Sequence, residues 1–247
     1  MEKSFVRAMN LVQKTFLPTG KSHSATVIFF HGSGDTGSNL VEWIRFLLGH
    51  DMTFGHIKII FPTAPAQKYT PLDGELSHVW FDRKSISIEA KECRRSLASI
   101  YETVGELLKI ERDAGIPENR IIVGGFSMGG ALALHTGYHV NQGLAGVFAI
   151  SSFLNKGSIV YDSLANPSST TPKVLPPLLM FHGERDTLVP LKWGNESFRN
   201  LQELGVKGTF IPVRNTMHEL KKSELLQLQE WILTILPPIE TDLTNKL

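Results

Sequence analysis

The sequence predicts an α/β fold, a central and mostly parallel sheet with helices on both faces. Three observations carry that expectation. Short apolar runs alternate with longer helical patterns from about Ser24 onward, the order of strands laid parallel with crossover helices. The runs end in turn formers or polar residues, as buried parallel strands do. The composition, 42% hydrophobic, 20% charged and 9% aromatic, is that of an ordinary globular chain. A length of 247 residues allows one large domain or two small ones. The unbroken alternation favours one, over residues 21–238, between an N-terminal extension at 1–20 and a disordered tail at 239–247.

In chain order, "ATVIFFHG" and "IKIIFP" are the first strand candidates. A long connection, Pro62 to Ile88, then leads to the clearest helix, from Glu89 to about Arg112. On it Cys93, Leu97, Ile100, Val104, Leu107 and Leu108 form one apolar stripe at three- and four-residue spacing. That spacing makes Cys93 a core residue. "RIIVGGFS" is the next strand, and "MGGALALHTGYHV" opens a helix behind it. "GVFAISS", "PLLMFHG" and "GTFIPV" follow as strands. The Ser, Thr and Pro content of "LANPSSTTPKVLPP" marks a solvated surface loop between the first two of these. The last helix, about Ser223 to Leu236, carries Leu225, Leu228, Trp231, Ile232 and Ile235 and stops at Pro237 and Pro238.

Charge narrows the function classes. Lys and Arg total 25 against 24 Asp and Glu, so no net field exists to gather nucleic acid or anionic membrane. With one cysteine there is no internal disulfide framework, and Met1 to Gly20 lacks the apolar core of a secretory signal. A cytoplasmic protein without nucleic-acid partners is therefore expected. No uncharged stretch approaches the roughly 18 to 20 apolar residues that cross a bilayer.

The motif that carries chemistry is Gly125-Phe126-Ser127-Met128-Gly129, a GxSxG directly between a strand and a helix. In that context the turn strains the serine backbone and holds its hydroxyl above the sheet edge, and small neighbours are needed because strand and helix pack closely. Ser127 is placed to be a nucleophile. A serine hydroxyl needs a histidine base and an acid to orient it, in the chain order serine, acid, histidine. His135 and His139 fall on the helix that begins at the serine, and His182 ends a strand. His218, in "NTMHEL", lies in a loop after the strand "GTFIPV" and late enough to follow an acid. Asp186 stands on a turn just beyond the strand "PLLMFHG", at the sheet edge where catalytic groups of α/β proteins collect. Glu184 is too close to that strand, and Asp162 precedes the Ser/Pro loop. The expected catalytic set is Ser127 as nucleophile, His218 as general acid and base, and Asp186 as the orienting carboxylate. The N–H of Met128 is one oxyanion donor, and the loop "FFHGSGDTG" should supply another. His31 precedes the serine and is read as a loop-shaping residue. That loop lacks the lysine and the glycine spacing of a phosphate-binding loop.

With these residues named, "FFHGSGDTG", "FPTAP", "VWFD", "GGFSMGG" and "FHGERDTLVP", in that order over Ser22 to Leu236, resemble the acyl-protein thioesterase and lysophospholipase branch of the α/β-hydrolases. The resemblance implies the α/β-hydrolase fold, catalysis by Ser127, Asp186 and His218, and an oxyanion hole from the backbone of Ser33 and Met128. It implies no metal and no cofactor, an acylated protein or small ester as substrate, and a monomer or weak dimer. The better known thioesterases carry leucine where Ser33 stands and glutamine where Met128 stands, so long-chain preference does not carry over with the motif. Met1 to Gly20 has no cysteine to be acylated, and stable membrane insertion is not expected.

The Pro62 to Ile88 connection is long enough to be a lid or binding loop. Trp80 and Phe81 suggest an aromatic wall of the substrate site, with Leu188 from the Asp186 turn as a second contact. Prolines and charges dominate the rest, so a shallow site and short-acyl preference are expected. Folding of Leu72 to Leu76, Leu154 and Leu188 over the site would instead complete a tunnel for longer chains. The competing readings are a long-chain lysophospholipase, a catalytically weak binding protein on the same fold, and a peptidase, for which no accessory domain is evident.

Overall fold

The structure is a computed structural model describing residues 11–20, 22–166 and 174–239. Its frame is a seven-stranded sheet made of β1 (Gln13–Phe16), β2 (Ala25–Phe30), β3 (Ile57–Pro62), β6 (Ile121–Phe126), β7 (Gly146–Ile150), β8 (Leu178–Gly183) and β9 (Gly208–Val213). A two-stranded hairpin of β4 (Ala66–Tyr69) and β5 (Glu75–His78) stands apart from it. The helices are α1 (Gly37–Leu48), α2 (Arg94–Asp113), α3 (Met128–His135), α4 (Ile159–Ala165), α5 (Leu191–Glu203) and α6 (Lys222–Ile235). Strand order is β1-β3-β2-β6-β7-β8-β9, with β1 antiparallel to β3 and every other pair parallel.

Both faces of the central strands are covered, which is why β2, β7 and β8 are buried at every residue and read as unbroken apolar runs. Successive side chains enter different cores, as a strand's two-residue period requires. Ile28, Phe30, Ile121, Val123 and Met180 join Leu97, Val104, Leu132 and Leu201 from α2, α3 and α5. Val27, Phe29, Ile122, Leu179 and Phe181 join Leu40, Ile44, Leu225, Leu228 and Ile232 from α1 and α6. Among the described residues no helix is long and apolar enough to cross a membrane.

The six expected strands all form. Three features depart from the sequence reading, two of them in strands. The sheet begins at Gln13, inside the stretch expected to precede the domain, because Gln13–Phe16 pairs with Ile59–Pro62. The long connection is also less irregular than expected: β4 and β5 pair through a turn at Asp73 and Gly74, both at positive φ. The middle of the expected Ser/Pro loop and the tail beyond Ile239 lie outside the described residues.

Cys93 is a correction. It is the residue before α2, half-buried, and not part of the helical stripe. Residue 92 is held extended by a bridge to Arg83, and the Glu92 carboxylate accepts from Ile159 N–H at 3.0 Å, so tertiary bonds override local helix propensity there.

Helix α6 closes the fold and anchors the loop before it. The Lys221 N–H donates to Glu224 Oε2 at 2.7 Å, while Glu224 Oε1 is buried without a partner. Burial pushes the Glu224 carboxyl up to about 7, more than the Lys221 N–H and ammonium hold it down. A carboxyl whose folded pKa is raised binds its proton more tightly folded than unfolded. Its contribution is therefore greatest below the unfolded value of about 4.3 and is lost as pH rises through the folded one. Glu224→Gln should gain on the wild type by on the order of 3 kcal/mol between about pH 4.5 and pH 8, measured by urea unfolding. An equal difference at the two pH values would rule out a titrating Glu224.

Candidate active site

The chain leaves β2 for β3 on one side and later leaves β6 for β7 on the other, so the crevice between the carboxyl ends of β2 and β6 is a topological switch point. Phe30 pairs with Gly125 there, and the chains beyond them, His31 to Thr36 and Phe126 to Met128, emerge side by side. Ser127 takes φ 53° and ψ −118° between the end of β6 and the start of α3. That positive φ costs about 1 to 3 kcal/mol for a residue with a side chain. Three bonds hold it: Ser127 N–H donates to Ile150 O at 2.8 Å, and its carbonyl accepts from Ser152 Oγ at 2.7 Å and Ala131 N at 3.1 Å. Helix α3 turns back tightly enough that a Cβ on Gly125 would strike the backbone of Gly129, and one on Gly129 would lie 2.5 Å from His31 O. The N–H of Met128 opens α3 and has no partner a turn earlier in the helix, as first-turn donors never do.

The facing loop is fixed from behind. His31, fully buried, donates from Nδ1 to Gly32 O at 2.6 Å and accepts at Nε2 from Ala64 N at 2.9 Å. Burial lowers its pKa, in keeping with a neutral ring that shapes the loop. The Trp80 indole N–H donates to His31 O at 2.8 Å.

Asp186 follows β8 and His218 follows β9, two neighbouring strands in register from Leu178↔Gly208 to Gly183↔Val213. The loops stay paired beyond the strands, through Glu184 N to Val213 O and Arg185 N to Thr216 O, both 3.0 Å. Their side chains meet: His218 Nδ1–H donates to Asp186 Oδ2 at 2.7 Å. Asp186 Oδ1 accepts from Leu188 N at 3.0 Å and Val189 N at 2.8 Å. Burial alone would raise the Asp186 carboxyl, but the bonds from His218 and Val189 outweigh it and hold it below the usual carboxylate range. With Nδ1 engaged, Nε2 is the free acceptor of His218, whose ring packs 4.9 Å from Phe126.

Ser127 and His218 line one cavity of about 200 Å³, together with Ser33, Met128 and Leu188. Asp186 lies just behind His218. Trp80 is a correction: it is not on the cavity wall but behind it, buried against Phe30 and holding the His31 carbonyl. The remaining wall comes from residues that sequence reasoning did not single out, chiefly Arg83, Ile86, Phe126, Ser151, Ser152 and Phe153. Ser151 to Phe153 had a signal, since they directly follow the strand "GVFAI" at the active edge of the sheet. Arg83 and Ile86 had only the length of the Pro62 to Ile88 connection, because no periodicity places individual side chains in an irregular stretch.

The phospholipase/carboxylesterase family matches residues 14–236. Lysophospholipase-like protein 1 of Mus musculus is 47% identical over 95% of this chain and 96% of its own. An acyl-protein thioesterase 1 homolog of Dictyostelium discoideum is 34% identical over 87% of this chain and 92% of its own. Among solved structures, Zea mays acyl-protein thioesterase 2 superposes with a TM-score of 0.73 at 24% identity, covering 92% of this chain and all of that one, a likeness of fold.

The closeness of α3 to the sheet makes the turn intolerant of a single methyl. Gly129→Ala should destabilise the protein by about 3 kcal/mol or more through backbone displacement, read as a lowered urea midpoint. A variant with unchanged midpoint and activity would show that the turn has slack.

Proposed function

The chain belongs to the phospholipase/carboxylesterase family and is a serine esterase/thioesterase, and we propose that its hydrolysis runs through Ser127, His218 and Asp186. The observation that carries this reading is the 2.7 Å bond between Asp186 and His218 beside a serine at positive φ, with serine and histidine facing one cavity. His218 Nε2 takes the Ser127 proton as Oγ attacks the acyl carbon. The oxyanion that forms is held by the N–H groups of Met128 and Ser33 at the mouth of α3, where the helix dipole favours negative charge. His218 then gives the proton to the departing alcohol or thiol, leaving an acyl-Ser127. Water, deprotonated by the same imidazole, releases the acid. Asp186, ionised throughout the neutral range, fixes the imidazole tautomer and stabilises its charged form.

The substrate on this reading is an acylated protein or a small ester, with short acyl chains preferred. A cavity of about 200 Å³ is below the roughly 300 to 1,000 Å³ of sites that enclose drug-sized ligands. The hairpin does not extend it: Leu72 and Leu76 point into solvent, 48% and 72% exposed. Leu154 is buried away from the wall, and Leu188 sits at the rim.

Ser127→Ala should lower kcat by on the order of 10⁶ and abolish labelling by a fluorophosphonate. Asp186→Asn, which keeps the shape but inverts the tautomer preference, should cost about 10⁴ in kcat. Full turnover in either variant would overturn the assignment. Across a linear acyl series assayed below micelle formation, kcat/KM should peak at roughly C2 to C6 and fall by C12. A steady climb through C12 would mean that a tunnel opens.

A further inference from the structure

Among the described residues that line the cavity, Arg83 is the only Lys or Arg. Its guanidinium carbon lies 5.1 Å from the centre of the Phe81 ring and 5.6 Å from that of Phe153, so two aromatic rings hold the guanidinium in place. Its Nε is buried and donates to nothing, and no carboxylate among the described residues comes within ion-pair distance of it.

The acids near it are committed elsewhere. Asp82, its chain neighbour, accepts from Thr70 N at 2.8 Å and Thr70 Oγ1 at 2.7 Å. Glu92, across the bridge, accepts from Ile159 N and lies 3.2 Å from His135. Asp35, the only acid among the described residues that line the cavity, accepts through Oδ1 from Thr36 N at 2.8 Å and makes no ion pair with Arg83. A half-buried guanidinium with a buried Nε and no anion is unfavourable, and burial draws its pKa down. The rings offset part of this cost, but they are not hydrogen-bond acceptors of the strength a planar five-donor fork matches.

We infer that Arg83 is an anion receptor inside the substrate cavity, so that the preferred substrates are short esters or thioesters bearing a carboxylate near the scissile carbonyl. The carboxylate supplies the missing partner as a bidentate, charge-assisted pair and fixes the carbonyl over Ser127. The inference rests on Ser127 being the nucleophile. The anion can belong to the acyl half, as in half-thioesters of short dicarboxylic acids, or to the leaving half.

Two pairs of thioesters test it by thiol release. One pair is the S-ethyl half-thioester of glutaric acid and its matched analogue with an isopropyl group replacing the carboxylate. The other is the acetyl thioester of mercaptopropionic acid and that of the neutral branched thiol of the same size. The wild type should favour the charged member of one pair by about 10- to 100-fold in kcat/KM, the range a charge-assisted hydrogen bond supplies. The pair that responds assigns the half. In Arg83→Met that charged-to-neutral ratio should collapse toward one, and Arg83→Lys should restore part of it, with circular dichroism checking that both variants fold. A wild type with no preference for the charged member of either pair overturns the inference whatever the variants do. So does a preference that survives in folded Arg83→Met. Ser127→Ala run alongside separates the two readings: turnover persisting there overturns the nucleophile, whereas its loss with no charge preference in the wild type overturns only Arg83.

Discussion

A serine held at φ 53° between a strand and a helix is unfavourable taken alone, and the architecture around it is arranged so that no relaxed alternative exists. The turn is clamped on its sheet side by Ile150 O and on its helix side by Ser152 Oγ, while Gly125 and Gly129 let α3 press against the strand ends. Relaxing Ser127 would require α3 to lift off the sheet and would empty a core built on Leu132, Leu134 and their neighbours. The strain is therefore sustained by apolar burial some distance from the chemistry. The same clamp fixes the Met128 N–H, since both belong to one turn, so the Ser127 hydroxyl and that N–H keep one spacing.

The other side of the cavity is set by sheet order. Because β2 lies beside β6, the His31 to Thr36 loop faces the serine without any long-range contact needing to be specified separately. Because β8 lies beside β9, Asp186 and His218 arrive on adjacent loops. What remains to be positioned is fine detail, and buried polar groups supply it: the His31 ring ties its loop to Ala64, and the Trp80 indole ties it to the connection after β5. Each of these donors and acceptors is buried and would be costly to leave unmade.

Much of this was legible in the sequence because it depends on local punctuation. A strand that ends at a glycine-flanked serine, a strand that ends in Gly183 with an acid soon after, and a histidine between a strand and a helix can each be read without knowing the neighbours. What was not legible depends on pairing partners. Gln13–Phe16 is too short and polar to announce itself as a strand, and it is one only because β3 offers a free edge. The β4 and β5 hairpin carries no alternating pattern. Trp80 read as a wall because large aromatics near a site usually are, but its N–H found the His31 carbonyl from behind. Cys93 fits a helical spacing, yet the Arg83 to Glu92 bridge keeps the chain extended up to it. Arg83 lies in the same irregular stretch, and only its folded surroundings reveal it.

The pairing of the Asp186 and His218 loops has a further meaning for how the molecule breathes. Asp186 follows β8, which is buried throughout, but His218 follows β9, which is partly exposed, bears Pro212 and forms the rim of the sheet. The Ser127 turn sits at the centre, between β2 and β7. Rim segments open with smaller free energies than central ones. The Asp186 and His218 loops are zipped to each other through the N–H groups of Glu184 and Arg185. The Ser127 turn joins a strand and a helix buried almost throughout. Local opening at the rim would therefore move Asp186 and His218 together, because their loops are bonded to each other, and leave the Ser127 turn where it stands.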